Sequence, residues 1–208
     1  MRDLTIAVPR GALFEGTLDL LDRLGVDTAE ARVNDRRLLF EDAGLITMRP
    51  SDVPTYVEAG AADLGITGKD VLMEQSERDV YELVDLRYGR CRMVLASAAG
   101  EDRAAEALRR LGVMRVATKY PRIAAAYFER TGRQAEIVEV KGSVELAPLT
   151  GMVEAIVDLT QTGTTLRENG LVVREEIAVA TARLIANPVA HKLKADAIDD
   201  VVRRLREG

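Results

Sequence analysis

The chain has 208 residues, of which 47% are hydrophobic and 30% are charged, and its formal net charge is −5. This composition is typical of a globular protein with a substantial core, and the acidic balance argues against a general nucleic-acid binder. Cys91 is the only cysteine, so an intrachain disulfide is excluded. No apolar run approaches the roughly 20 residues of a membrane span, and no segment resembles a signal peptide, so a cytoplasmic protein is expected.

The first half of the chain alternates short apolar segments with amphipathic ones. Leu13, Leu20, Leu21 and Leu24 form the apolar stripe of a helix that ends at Gly25. A later helix is expected to begin at a Ser51 cap. Strands are predicted at residues 4–8, 38–40, 45–48, 62–67 and 80–86, and helices at 13–24, 51–59 and from 69 onward.

The second half continues the alternation. Residues 171–186 are predicted to be extended, and residues 188–206 are predicted to form one final amphipathic helix. Further strands are predicted at residues 91–96, 114–117, 135–140 and 156–159, and helices at 102–111, 121–130, 143–149 and 166–170. Alternating strands and helices favour an α/β fold with mainly parallel sheets, and about ten strands favour two lobes over one sheet.

The division into lobes is predicted from the strand pattern. Lobe I takes residues 1–90 plus about 176–208, and lobe II takes residues 91–175. The segment 86–92, between two strands, is one candidate crossing. A second must follow Gly170 so that the last helix can return to the first lobe.

One loop carries the strongest chemical signal. A buried strand is predicted to stop at Asp158, and a hydroxyl-rich loop around one glycine leads into a short helix. Backbone N–H groups, hydroxyls and a helix N-terminus suit one bound anion. The carboxylates of Glu154 and Asp158 could hold sugar hydroxyls, so a phosphoribosyl group is suggested. The alternative is an ordinary strand-to-helix turn. The loop residues are Thr162, Gly163, Thr164 and Thr165.

Three other segments are candidates for ligand contacts. Arg10 follows the first strand, where ligands bind in α/β sheets, and Gly65 and Gly68 permit close approach of a ligand to the backbone. The run from Tyr88 to Arg92 joins an aromatic ring to cations. Turn chemistry and solvated surface arginines remain the alternatives. No His or Cys cluster has metal-ligand spacing, and the sequence shows no covalent nucleophile.

Five ordered blocks give the chain its family resemblance. They are residues 49–57, 65–70, 88–92, 117–121 and 158–166. With them the chain resembles the catalytic subunit of ATP phosphoribosyltransferases over nearly its whole length. The resemblance implies transfer of a phosphoribosyl group from phosphoribosyl pyrophosphate to N1 of ATP with Mg²⁺, the first step of histidine biosynthesis. It also implies two α/β lobes like those of type II periplasmic binding proteins, with a ligand cleft between them.

The resemblance implies roles for particular residues. Glu154 and Asp158 would hold the ribose hydroxyls, and the loop threonines and Gly163 the 5′-phosphate. Arg10 stands where the family usually has lysine, and Ala12 where it often has arginine. The implied sets are Arg36 and Arg49 for catalysis; Arg10, Glu154, Asp158, Thr162, Gly163, Thr164 and Thr165 for phosphoribosyl pyrophosphate; and Lys69, Tyr88 and Arg92 for ATP. Mg²⁺ would be bound mainly through substrate phosphates, without a protein metal site.

The length resembles the short form of the family, which lacks a regulatory domain. That form implies a regulatory subunit related to histidyl-tRNA synthetase, with a homodimer of this chain inside a larger hetero-oligomer. The competing hypothesis is a two-lobed binding or regulatory protein without catalysis. A solute receptor would need an export signal, and a transcription regulator would need a DNA-binding module before the first strand.

Overall fold

The computed structural model describes residues 3–207, which fold into two compact α/β units. Unit 1 contains the chain up to Gly89 and from Thr181 onward, and unit 2 contains Arg90–Ala180. The chain therefore passes from one unit to the other twice. The sequence places these crossings near residues 90 and 176, whereas the last strand of unit 2 continues to Ala180.

Unit 1 is built on a six-stranded sheet with the order β2-β3-β1-β4-β11-β5. The central strand β1 is parallel to β3 and β4, while β2 and β11 run antiparallel to their neighbours. Four of the six strands therefore point the same way. The strands are β1 (Ile6–Pro9), β2 (Leu39–Phe40), β3 (Leu45–Met48), β4 (Leu64–Gly68), β5 (Tyr81–Asp85) and β11 (Ala182–Ala186). The helices are α1 (Phe14–Arg23), α2 (Ala29–Val33), α3 (Val53–Glu58), α4 (Lys69–Glu74), α9 (Pro188–Leu193) and α10 (Ala195–Glu207).

Unit 2 is built on a five-stranded sheet with the order β10-β6-β9-β7-β8. Strand β7 is parallel to β8 and β9, and β6 runs antiparallel to β9 and β10. The strands are β6 (Cys91–Ala98), β7 (Met114–Thr118), β8 (Ala135–Glu139), β9 (Ala155–Thr160) and β10 (Leu171–Ala180). The helices are α5 (Arg103–Leu111), α6 (Pro121–Arg130), α7 (Leu146–Leu149) and α8 (Thr164–Glu168).

Each unit has its own apolar core because helices cover the faces of its sheet. In unit 1, Leu18 and Leu21 of α1 and Ile198 of α10 pack in one cluster with Ile66 of β4. Gly65 lets α3 approach the opposite face, since a Cβ there would lie 2.6 Å from Val53 and 2.7 Å from Val57. Among the described residues no helix combines the length and apolarity needed to cross a bilayer.

The structure differs from the predicted elements at several places, of which four affect the description of the fold. The final helix is two helices, broken at Lys194, whose Nζ donates to Asp63 Oδ2 at 2.8 Å. The extended segment 171–186 is two strands, β10 and β11, which belong to different sheets. The helix α2 has no counterpart in the prediction. The predicted cap at Ser51 is wrong, because Asp52 holds the N-cap position of α3 and the Ser51 hydroxyl donates to Asp52.

Candidate functional site

The polar segments of unit 2 gather at one edge of its sheet. Strands β7 and β9 are parallel neighbours, so the residues that follow them leave the sheet on the same side. Lys119 follows β7, and the hydroxyl-rich loop follows β9. A ligand at this edge can therefore meet both segments.

The hydroxyl-rich loop is held in shape by its own hydrogen bonds. Gly163 has φ +74° and caps the first turn of α8, a left-handed conformation that favours glycine. Its N–H donates to Thr160 Oγ1 at 2.8 Å. Thr162 Oγ1 and Thr164 Oγ1 are 2.9 Å apart and share a hydrogen bond. Two hydrogen bonds within the loop therefore support its shape.

Arg167 clamps this loop from within α8. Its Nη1 donates to the Thr162 carbonyl at 2.9 Å and its Nη2 to Thr164 Oγ1 at 3.0 Å. The guanidinium therefore fixes the loop and places positive charge beside it. Arg167 is not among the site residues predicted from the sequence. The signal that could have identified it is its position three residues after Thr164, which brings the two side chains together on one helical face.

Asp158 is a buried carboxylate in the strand that feeds the loop. It is only 6% exposed, and burial raises its pKa above the ordinary value. Its Oδ1 accepts from the Leu159 N–H at 2.8 Å, and the charge of Lys119 favours its ionised form. No salt bridge within residues 3–207 includes Asp158. Lys119 was not selected as a site residue, although its block, residues 117–121, belongs to the family resemblance.

Glu154 does not lie with Asp158 and the loop. It precedes the first residue of β9, so at about 3.3 Å per residue it stands roughly 13 Å along the strand from Asp158. Its Oε2 accepts from the Arg115 backbone N–H at 2.6 Å, and its Oε1 accepts from Arg115 Nε at 3.1 Å. The structure therefore ties Glu154 to β7 at the amino end of the strand.

Arg92, predicted to bind ATP, lies in unit 2 on the strand beside the loop. It is the register partner of Thr160, and Val94, two residues further on, is the partner of Asp158. Because side chains alternate along a strand, Arg92 and Asp158 project from the same face of the sheet. The Arg92 Nη1 atom is 3.4 Å from Glu176 Oε2.

Unit 1 gathers three predicted cations at one edge in the same way. Arg10, Arg49 and Lys69 come directly after β1, β3 and β4, which are parallel neighbours. The Arg10 guanidinium donates to Thr47 Oγ1 at 3.1 Å and to the Arg37 carbonyl at 2.8 Å. The Arg49 guanidinium has no ion pair among the described residues, so its charge is available to a ligand.

A pocket of about 540 Å³ adjoins Arg10 and Arg49. Its apolar walls include Leu39, Met48 and Tyr56. Apolar walls beside two guanidinium groups suit a ligand that carries an apolar or aromatic part next to an anion. Arg36 does not line this pocket; it is exposed in the loop before β2, where its backbone N–H donates to an Asn34 side chain.

Tyr88, predicted to contact ATP, packs against α1. A Cβ added at Gly16 would lie only 2.8 Å from the Tyr88 ring, so the ring packs directly against this glycine. The Tyr88 hydroxyl is 2.6 Å from Thr17 Oγ1. Burial raises the pKa of Tyr88 to about 12. These contacts give Tyr88 a packing role, and its contact with ATP stays a prediction.

We expect Tyr88→Phe to lower the stability of unit 1 without changing ATP binding. The variant keeps the ring and removes one buried hydroxyl bond with Thr17, a loss of about 1 kcal/mol, or a Tm lower by about 2–4 °C. Calorimetry and ATP saturation curves measure the two effects. A raised KM for ATP at unchanged Tm would instead give the hydroxyl a role in the substrate site.

The fold and the two polar edges define a class: a two-unit α/β protein whose polar and cationic loops suit anionic ligands. A solved periplasmic aliphatic sulphonate binding protein from Escherichia coli shares this fold, with a TM-score of 0.63 and 14% identity over 98% of this chain and 71% of that chain. At that identity the likeness concerns the fold alone.

Closer relatives give the family. The family model HisG: ATP phosphoribosyltransferase matches residues 49–207. The ATP phosphoribosyltransferase of Rubrobacter xylanophilus is 57% identical over 199 residues, which covers 93% of this chain and 91% of that protein. The enzyme of the same name from a Geobacillus species is 48% identical over 210 residues, with 98% of both covered. A solved ATP phosphoribosyl transferase (HisG:HisZ) complex from Thermotoga maritima contains a chain with a TM-score of 0.78 and 35% identity, covering 98% of this chain and 97% of that one.

The chain belongs to the ATP phosphoribosyltransferase family. The family, the two-unit α/β fold and the class of pentosyl-transferring enzyme predicted from the sequence are confirmed. The alternative of a binding or regulatory protein without catalysis is not favoured, because the relatives that share about half of the sequence are ATP phosphoribosyltransferases, whereas the binding protein shares only the fold.

Proposed function

We propose that the chain transfers the phosphoribosyl group of phosphoribosyl pyrophosphate to N1 of ATP and releases pyrophosphate. This reaction is the first step of histidine biosynthesis. Family membership supports the reaction. Within the molecule, the observation that carries it is the internally hydrogen-bonded hydroxyl loop that follows the strand with the buried carboxylate of Asp158.

The phosphoribosyl end of the substrate is assigned to unit 2. The loop hydroxyls and backbone N–H groups hold the 5′-phosphate, and Asp158 accepts hydrogen bonds from the ribose hydroxyls. Lys119 and Arg167 add positive charge beside them, and Arg167 also positions the loop. Glu154 is outside this assignment because Arg115 holds it at the amino end of β9.

The negative charges of pyrophosphate and of the ATP phosphates are assigned to arginine and lysine side chains. Arg49 contacts the leaving pyrophosphate from the pocket that it lines with Arg10, and Arg36, outside that pocket in the loop before β2, adds a third cation. Lys69 and Arg92 contact ATP phosphates. Arg49 is the strongest of these assignments because no ion pair occupies its guanidinium among the described residues, and it lines a pocket with Arg10. Arginine forks match phosphate oxygens in pairs.

The chemistry is a displacement at the anomeric carbon of the ribose. The C1′–O bond to pyrophosphate breaks, its electron pair leaves with the pyrophosphate oxygen, and adenine N1 forms the new bond to C1′. Negative charge grows on the leaving group while the ribose becomes cationic. Fixed guanidinium groups stabilise the first charge, and positioning of both substrates supplies most of the remaining acceleration.

Mg²⁺ fits this site as an ion carried by the substrates. Among residues 3–207 no group of three or more His, Cys, Asp or Glu side chains is arranged to hold a metal ion. Substrate phosphates would be its principal ligands, with Asp158 the one buried carboxylate at the phosphoribosyl edge. When bound, the ion neutralises part of the pyrophosphate charge.

The proposed setting is a cytoplasmic hetero-oligomer. The Thermotoga maritima relative was solved as a HisG:HisZ complex, which supports a regulatory partner subunit for this chain. A homodimer of this chain within that assembly is part of the proposal.

Thr164→Val is the experiment that tests the phosphate loop. The variant keeps the shape of the side chain and removes a hydroxyl that bonds both Thr162 and Arg167. We expect the KM for phosphoribosyl pyrophosphate to rise about tenfold, the effect of one hydrogen bond to a charged group. The KM for ATP, measured in the same pyrophosphate-release assay, is the internal control. A rise confined to the KM for ATP would contradict the assignment.

A further inference from the structure

An ion-pair chain in unit 1 begins at Lys69. The Lys69 Nζ atom is 2.6 Å from Glu82 Oε2, so this predicted ATP contact is already paired with a carboxylate. Glu82 lies on β5, and its other oxygen, Oε1, is 3.0 Å from Arg183 Nε on β11. One carboxylate therefore serves two cations.

Arg183 is the less satisfied of the two cations. Its side chain is only 14% exposed, and its Nη1 forms a second ion pair with Asp85. Both Nε and Nη1 nevertheless lack a hydrogen bond of ordinary geometry among the described residues. Buried N–H groups without a well-directed acceptor are rare and costly, so Arg183 gains if a carboxylate oxygen turns further toward it.

The same set of contacts includes Thr181, at the start of the second chain segment of unit 1. Asp85 Oδ1 accepts from Thr181 Oγ1 at 2.8 Å, and the Thr181 carbonyl accepts from the Lys69 N–H at 2.9 Å. Thr181 is the first residue of unit 1 after the crossing from unit 2. Lys69, Glu82, Arg183 and Thr181 therefore form one connected network.

We propose that Glu82 is an exchangeable counter-ion that holds Lys69 in the free protein and turns to Arg183 when Lys69 binds a substrate phosphate. Arg183 is then a positioning residue for the reaction, which acts on ATP binding through Glu82 without touching ATP. This inference rests on the proposed function, because it requires Lys69 to contact ATP.

Binding of a substrate phosphate to Lys69 must displace the Glu82 carboxylate. To reach a phosphate, Lys69 has to leave Glu82, and an unpaired Glu82 would oppose that change. Arg183 already lies 3.0 Å from Glu82 without a well-directed hydrogen bond, so it can donate to the released carboxylate and thereby reduce the cost. Without Arg183, Glu82 would hold Lys69 more tightly and ATP would bind more weakly.

The test is a double-mutant cycle on the full chain, with the KM for each substrate measured by pyrophosphate release. We expect Arg183→Gln to raise the KM for ATP about two- to fivefold, the effect of one partly exposed ion pair, while the KM for phosphoribosyl pyrophosphate stays constant. Adding Glu82→Gln should restore the KM for ATP, because no carboxylate is then left to compete for Lys69. Arg183→Lys should keep the KM for ATP close to the original value, since an ammonium group can still donate to the Glu82 carboxylate.

Two controls make the outcome decisive. Arg203→Gln removes the same charge from an exposed pair with Asp200 on α10, and it should change neither KM. Lys69→Met tests the premise alone: if it leaves the KM for ATP unchanged, Lys69 does not bind ATP and the inference fails while the reaction itself stands. If Lys69→Met raises that KM but Glu82→Gln does not rescue Arg183→Gln, the exchange is overturned and Arg183 is only structural.

Discussion

Arg49→Ala is expected to lower kcat by at least tenfold, and on the order of a hundredfold, the usual effect of losing one donor aimed at a developing charge. Arg49 follows β3 at the cationic edge of unit 1, lines the pocket with Arg10 and has no ion pair among the described residues. Its charge is therefore free to stabilise the leaving pyrophosphate. Removing an unpaired side chain at the surface of a pocket should leave the fold intact.

Steady-state pyrophosphate release measures kcat, and circular dichroism shows whether the fold is intact. Arg109→Ala is the matched control. Arg109 is exposed on α5, and its substitution removes the same charge from the other unit. A kcat unchanged in Arg49→Ala would remove Arg49 from catalysis. A fall in kcat of equal size in Arg109→Ala would attribute the effect to net charge.

Asp158→Asn is expected to reduce activity and to raise stability. The ribose hydroxyls would lose a charged acceptor, which corresponds to a fall in kcat/KM for phosphoribosyl pyrophosphate of at least about tenfold. Burial raises the pKa of Asp158, so its ionised form is disfavoured in the folded chain. A raised pKa gives a stabilising contribution that is complete below the unfolded pKa and is lost as the pH rises through the folded pKa.

At neutral pH, asparagine therefore avoids a cost that ionised Asp158 bears. We expect a Tm higher by about 2–4 °C, the shift that about 1 kcal/mol produces in a chain of this length. The gain should shrink toward about pH 4, where aspartate also becomes protonated. Calorimetry at both pH values checks this, with the exposed Glu136→Gln of β8 as the matched amide control. A lower Tm at neutral pH would show that the carboxylate is stabilised by the fold.

The sequence was sufficient for the architecture and for the main loop. Hydrophobic periodicity and turn residues located nearly every strand, and helix α6 begins and ends where predicted. Order along the chain also explains why Arg10, Arg49 and Lys69 share an edge, since each follows one of three parallel strands. Such inferences need only strand direction, which the α/β pattern supplies.

Details that depend on partners across the sheet could not be predicted. Glu154 is four residues from Asp158 in a strand, and only the register with β7 shows that Arg115 holds it. The packing of Tyr88 against Gly16 and the sharing of Glu82 likewise join residues distant in sequence. The contact of Lys194, at the break of the last helix, with Asp63 also joins residues distant in sequence. Periodicity contains no information on such pairs.

The two crossings of the chain have a consequence for biosynthesis. Unit 2 is one uninterrupted segment, whereas β11, which lies between β4 and β5, comes after it. On the ribosome, unit 2 can fold as soon as it emerges, but β5 has no strand to pair with until residues 182–186 appear. The β5 side of the unit 1 sheet, which carries the Lys69–Glu82 ion pair, is therefore completed only after all of unit 2 has been synthesised.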